Sequence, residues 1–335
     1  MPKKHPQSQS LRLKVPLPAS FPVFSYQAPT LGVGSCFVEA VGARMQRLKL
    51  PAVLNPMGIQ YNPLSLARTL QYGLGQVRFT AGDLLESRGI WQHFDFHGAL
   101  GHPEREVAAR QMQRAVDHLK VAVGGMDRLL ITLGTAFVYE YKASGQTVAN
   151  CHKVPASAFR KYRLSPKAIV DALQPVLADC KARRPGLEVV LTVSPVRHIR
   201  DGVVDNQRSK AALLLAAEAL SETDYVHYFP SYELMMDELR DYRFYKTDYV
   251  HPSEEAVDYI WSCFASVAFA EATMEQINAV GAIVRASAHR PLFPASAAHQ
   301  AFVRQQLEQI RVLEAALPGV DFAPEREGLK ASLAG

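Results

Sequence analysis

Two short stretches of the chain carry the residue types of a hydroxyl-activating site. Asp248-Tyr249-Val250-His251 places a carboxylate three residues before an imidazole, and Gly34-Ser35-Cys36-Phe37 places a hydroxyl directly after a short apolar run. A carboxylate at that spacing can hold the imidazole through Nδ1, which leaves the other ring nitrogen to take a proton from a serine hydroxyl. The expected chemistry is attack by Ser35 on a carbonyl carbon, with His251 as general base and Asp248 as the acid that orients it. Each residue also suits a structural role. Ser35 fits a helix N-cap, His251-Pro252-Ser253 fits a capping turn with Ser253 as the cap, and Asp248 fits the start of a turn. The combination, more than any single residue, favours catalysis.

These residues need elements to position them, and an α/β rhythm supplies them. Leu31–Gly34, Ala52–Leu54, Arg128–Leu133, Leu187–Val193 and Tyr225–Phe229 read as short strands. Helical spacing runs over Phe37–Leu48, 104–123, Pro166–Ala182, Asn206–Leu220 and Glu254–Ala270. Uninterrupted apolar strands separated by helices predict a parallel sheet covered on both faces. Ligands of such sheets bind beyond the carboxyl ends of the strands, and Ser35, Asn55, Gly134-Thr135 and Ser194 all fall at those ends. An oxyanion beside Ser35 is expected to meet the unpaired N–H groups and positive dipole end of the helix that starts there, the N–H of Ser35 included.

The bulk properties narrow the function class. With 335 residues, 48% hydrophobic and 21% charged, the chain can bury a sizeable core. The net charge of +5 is dispersed, and the densest clusters, Lys3-Lys4 and Lys181-Ala182-Arg183-Arg184, are too short for a nucleic-acid face. Cys36, Cys151, Cys180 and Cys263 show no CxxC spacing, which fits free thiols. No signal-peptide-like or membrane-spanning run is evident, so a cytoplasmic protein without a membrane partner is expected. Three parts are read from the chain: an arm over 1–25 that is polar and proline-bearing, a catalytic domain over 26–275, and a helical extension over 276–335. Within the last, 276–286 and 297–316 read as helices and the tail from Pro318 as turn-rich. The extension is open to packing or homo-oligomerisation.

Other residues have plainer readings. Cys36 is read as a small buried hydrophobe, because adjacent residues at a helix start point in different directions. Cys151-His152 lacks a second ligand pair at zinc spacing, so no metal is assigned. His93, His97 and His102 fall in a loop-like stretch and read as surface histidines, with the pocket mouth or a metal as the alternative roles. Arg197-His198 follows a strand end and suits an anionic part of a substrate. Glu238, Arg240, Asp241 and Arg243 read as a charged face that positions the Asp248 loop.

Beyond these local readings, Gly34-Ser35-Cys36-Phe37-Val38 resembles the signature of the GSCFA family, named for that motif. Further blocks resemble the family in the same order: Asn55–Pro63, Thr132–Ala136, Asn150–Lys153, Thr192–His198, Tyr228–Glu233, Glu238–Tyr245 and Asp248–Ser253. They span roughly residues 30–265. The resemblance implies an SGNH (GDSL-like) hydrolase with a three-layer α/β/α, flavodoxin-like fold. It implies Ser35 as nucleophile, His251 as base and Asp248 as acid, with Gly58 giving a second oxyanion N–H. Where the superfamily pattern has a Gly-x-Asn-Asp block, this chain has Gly134-Thr135-Ala136. Thr135 is therefore the first substitute for the missing Asn, with Asn150 and His152 behind it. The usual Asp before the nucleophile is replaced by Gly34. Asn55, Asn150, His152, Arg197 and His198 are the expected substrate-binding residues.

The expected function is hydrolysis of a small or glycan-linked O-acyl ester through an acyl-enzyme, without a cofactor. Two alternatives use the same residues: O-acyl transfer to an alcohol, and non-catalytic binding on a hydrolase-like fold.

Overall fold

A computed structural model describes residues 13–333. Five parallel strands form the central sheet: β1 (Thr30–Gly34), β2 (Ala52–Leu54), β3 (Arg128–Leu133), β4 (Glu188–Val193) and β5 (Val226–Tyr228). Their order is β2-β1-β3-β4-β5. This is the flavodoxin-like order, whose direction of winding reverses between β1 and β3. β1 is buried along its whole length, and β3 and β4 are buried at every position but the first, as expected for strands covered on both faces.

Side-chain alternation along the strands builds two cores. Leu129, Ile131 and Leu133 of β3 face helices α2 (Pro63–Gly73), α3 (Arg105–Gly125), α4 (Pro166–Arg183) and α5 (Val203–Leu220). Leu130 of β3 and Val190 of β4 face α1 (Cys36–Arg47) and α6 (Glu254–Ala268). The sheet is thus the middle of three layers. α1 is capped by Ser35, α4 by Ser165 and α6 by Ser253, so the capping reading of the Pro252-Ser253 turn is correct.

Several expectations change. From Val15 onward the N-terminal segment packs on the second core. Phe24 is buried between Phe264 and Phe269, and Val15 N–H donates to Glu238 (2.6 Å). The rest of the expected arm, residues 1–12, lies outside the described residues. Glu238 is accordingly a buried acceptor, also hydrogen-bonded by Tyr259 OH, and not part of a solvated charged face. The region between β3 and β4 adds a three-stranded antiparallel sheet from Phe137–Tyr141, Gln146–Val148 and Phe159–Arg163. At the C-terminus, α7 (Glu271–Ser287) and α8 (Ala297–Ala316) are joined by α9 (Ala323–Ala331). α9 replaces the expected turn-rich tail. Leu329 and Phe322 give it an apolar anchor against Val280, Ile283 and Ile310, and this cluster is separate from the two sheet cores. No helix among the described residues is long and apolar enough to cross a membrane.

Candidate active site

The turn from β1 into α1 builds the floor of the site. Gly34 sits at φ +142°, and a Cβ there would lie 2.3 Å from the Thr132 carbonyl oxygen of β3. Only glycine lets the two strands approach this closely. Asn55, at the end of β2, fixes the turn from the other side. Its Oδ1 accepts the Gly34 N–H (2.8 Å) and its Nδ2 donates to Glu39 (3.1 Å). Asn55 therefore braces the β1–α1 turn and does not line the cavity above it.

Ser35 emerges at the reversal point between β1 and β3, 1% exposed, on the floor of a cavity of about 260 Å³. Cys36, Tyr61, Gly134, Thr135, Ser194, Arg197 and His198 are among its other lining residues. The strand-end residues expected from the sequence converge here, with the exception of Asn55. Arg197 and His198 line the cavity. Asn150 and His152 do not: Asn150 accepts the His152 N–H (2.9 Å), and the His152 ring bonds the His93 carbonyl (2.7 Å) beside a different depression. Burial lowers the pKa of both His93 and His152, and the His152 ring lies against Phe94, which packs on Tyr141 and Phe159 of the antiparallel sheet.

The expected oxyanion donors need correction. Ser35 N–H donates to Thr132 O (3.1 Å), Gly58 N–H to Asn55 O (2.7 Å) and Thr135 N–H to Tyr61 O (2.9 Å). Gly58 is a glycine for another reason: at φ +83° its Cβ would meet His97 Cβ at 2.1 Å. What the cavity does offer is Cys36, the first residue of α1, whose N–H has no helical acceptor behind it. Thr135 also lines it, with its hydroxyl 3.2 Å from Ser209 Oγ.

Asp248 and His251 form the expected dyad. Asp248 Oδ2 lies 2.7 Å from His251 Nδ1, while Oδ1 accepts the N–H groups of Val250 (2.9 Å) and His251 (3.0 Å). The backbone N–H of His251, then that of Val250, then the imidazole hold the Asp248 carboxyl far below the usual range. It is ionised at any working pH. Tyr249 takes a left-handed backbone (φ +56°), and Lys246 N–H closes the loop on His251 O (2.8 Å). His251 Nε2 has no partner among the described residues. No hydrogen bond joins it to Ser35, whose Oγ accepts the Phe37 N–H (3.3 Å), and His251 does not line the Ser35 cavity. The loop does adjoin the cavity rim, because Arg197 N–H donates to Val250 O (3.2 Å).

His198 is the imidazole that shares the cavity with Ser35. Its Nε2 is 3.2 Å from Ser209 Oγ, and its Nδ1 is buried without a hydrogen bond. Burial, then the Lys210 charge, pulls its pKa down to about 4.

Sequence reasoning missed Lys210. Its ammonium is fully buried and donates to the carbonyls of Gly134 and Ser194 (both 2.7 Å), tying the ends of β3 and β4 together. With Asn206, which takes the His198 N–H, and Ser209, which takes the Ala136 N–H, it makes a polar stripe on α5 that holds both cavity loops. The available signal was a lone lysine directly before the apolar run Ala211–Ala217.

Burial lowers the Lys210 pKa from 10.5 to about 7. Two acceptors need only two N–H donors, which amine and ammonium both supply, so desolvation decides the shift. Between those two values the unfolded chain keeps a proton that the folded chain has lost, so this group makes stability rise with pH. The stability of wild type relative to Lys210→Met is expected to grow by about 2 kcal/mol between pH 7 and 9. Urea unfolding at the two pH values measures it; a pH-independent difference contradicts the assignment.

The sequence model described as "GSCFA family" matches residues 29–264, and that of the "GSCFA domain protein, C-terminal domain" matches 280–335. No curated protein matches the chain. Among solved structures, the chain is similar to an acetyl xylan esterase, Est2A, from the rumen bacterium Butyrivibrio proteoclasticus. The identity is 10% and the TM-score 0.33, over 73% of this chain. The chain spans 65% of the length of that structure's chain.

Proposed function

The chain belongs to the GSCFA family, and we propose that it is a serine hydrolase of O-acyl esters in which Ser35 forms an acyl-enzyme. The observation that carries this reading is the position of Ser35. It stands at the reversal point of the sheet, at the start of a helix, on the floor of a cavity whose rim adjoins a loop that presents a carboxylate-held imidazole with a free Nε2.

In the proposed reaction Ser35 Oγ attacks the ester carbonyl carbon and His251 Nε2 takes its proton. Asp248 keeps Nδ1 protonated and stabilises the imidazolium that forms. The oxyanion lies against Cys36 N–H and the positive end of α1, with the Thr135 hydroxyl as second donor. Collapse releases the alcohol with the proton from His251, and water then hydrolyses acyl-Ser35. The 245–253 loop brings His251 to Ser35 when substrate fills the cavity; catalytic hydrogen bonds are often long before a ligand is bound.

Two rivals inside the site are weaker. Burial, followed by the nearby Glu39 charge, raises the Cys36 pKa, so its thiolate is scarce. His198 shares the cavity, but a base with a pKa of about 4 has little affinity for the serine proton. The cavity of about 260 Å³ is smaller than a typical drug-sized pocket and suits a short acyl group.

The test is burst kinetics with 4-nitrophenyl acetate. A burst stoichiometric with enzyme, abolished in Ser35→Ala, is expected. Equal turnover by Ser35→Ala and wild type would mean that the reaction does not pass through this residue.

A further inference from the structure

We propose that the ester taken by Ser35 carries an anionic group, a carboxylate or a phosphate, received by Arg197 and Arg200 at the rim of the cavity. This rests on the hydrolase reading and names its substrate class.

The cavity's charges are unbalanced. Asp201 is its only acidic lining residue, and Asp201 already holds Lys161. Arg197 and Arg200 also line it, and neither makes an ion pair with a carboxylate among the described residues. Their neighbours show that this is unusual for the region: Arg160, Arg208 and Arg243 each pair with an acid. Glu39, the other acid near Ser35, is held by Asn55 below the floor. Beneath the cavity Lys210 adds a buried amine with no carboxylate partner.

Arg197 is also held in place. Its guanidinium lies 4.2 Å from the centroid of the Tyr245 ring and 5.8 Å from that of Tyr242, and Nη1 reaches the Tyr249 carbonyl (3.5 Å). A guanidinium held over a ring face is already ordered, so fixing it costs the ligand little, and its five N–H donors exceed what one carbonyl takes. Tyr61, Phe137, Tyr139 and Val196 give the cavity an apolar wall. The cavity therefore receives an ester whose reacting end lies at Ser35, whose carbon skeleton packs on that wall and whose charged end meets the arginines. A neutral ester of the same size leaves both guanidinium groups without an anionic partner.

The experiment compares two activated esters of similar size, mono-4-nitrophenyl succinate and 4-nitrophenyl butyrate. Wild type is expected to favour the succinate about tenfold or more in kcat/KM, as one charge-assisted pair would give. In Arg197→Ala/Arg200→Ala the ratio is expected to fall to near parity, while Arg208→Ala, whose arginine pairs with Asp205 outside the cavity, keeps it. Parity in wild type, or a preference that survives the double substitution, overturns the proposal. A second arm does not depend on hydrolysis. Calorimetry on Ser35→Ala should show binding of monomethyl succinate but not methyl butyrate, and loss of that binding when both arginines are replaced. Absence of any difference overturns the anion site. Its presence alongside a wild-type protein that never forms an acyl-enzyme would instead sink the hydrolase reading alone. Competition by methyl phosphate and by acetate separates phosphate from carboxylate as the preferred group.

Discussion

His251→Ala is expected to lower kcat for ester hydrolysis by about 10⁴-fold or more, while His198→Ala lowers it less than about tenfold. The difference follows from what holds each ring. His251 has its Nδ1 against an ionised carboxylate and its Nε2 unoccupied, the arrangement a general base needs. His198 has Nε2 against Ser209 and a pKa of about 4, so it stays neutral and binds a proton weakly. Asp248→Asn should cost roughly a hundredfold or more, because an amide oxygen in place of the carboxylate cannot stabilise the imidazolium, and an amide nitrogen in its place favours the wrong tautomer. The side chains of Asp248 and His251 are each about half exposed, 47% and 46%, so these substitutions test chemistry and not folding. Steady-state kinetics on all three variants decides the matter. Loss of activity in His198→Ala with retention in His251→Ala would transfer the base to the residue that shares the cavity with Ser35.

Gly34→Ala is expected to destabilise the protein by about 3 kcal/mol or more, the largest effect of any single methyl addition in the β1–α1 turn. The added Cβ would stand 2.3 Å from Thr132 O and 2.8 Å from Thr132 N, both backbone atoms of the neighbouring strand. Neither can move without opening the β1–β3 ladder, and φ +142° is unfavourable for alanine in any case. By contrast Gly75→Ala meets nothing within 4 Å and carries only the strain of its positive φ. Urea unfolding of the two variants compares these costs. A Gly34→Ala protein as stable as Gly75→Ala would show that the turn is looser than described. The same crowding explains why position 34 is a glycine: no side chain fits there.

The parallel sheet was legible because its strands are apolar runs punctuated by Gly, Asn and Ser at their carboxyl ends. The dyad was legible because its members are three residues apart and one local turn joins them. Contacts over long sequence distances were not legible. Asn55 looked like a ligand-binding strand end, yet its amide is consumed by Gly34 and Glu39, partners that only the β1–β2 pairing brings near. Gly58 looked like an oxyanion donor, yet its N–H closes its own turn. Asn150 and His152 follow the antiparallel sheet away from Ser35. Lys210 passed as an ordinary helical lysine, because burial of one amine under two strand ends leaves no periodic trace. The pairing of Glu238 with Val15 and Tyr259 is invisible for the same reason.

The most direct test of the account is where a fluorophosphonate probe attaches. Intact protein treated with the probe, digested and mapped by mass spectrometry, is predicted to carry one adduct on Ser35, with labelling slowed strongly in His251→Ala and absent in Ser35→Ala. Folded wild-type protein that takes no label at Ser35, or an adduct that maps to another residue, would contradict the claim that Ser35 is the nucleophile.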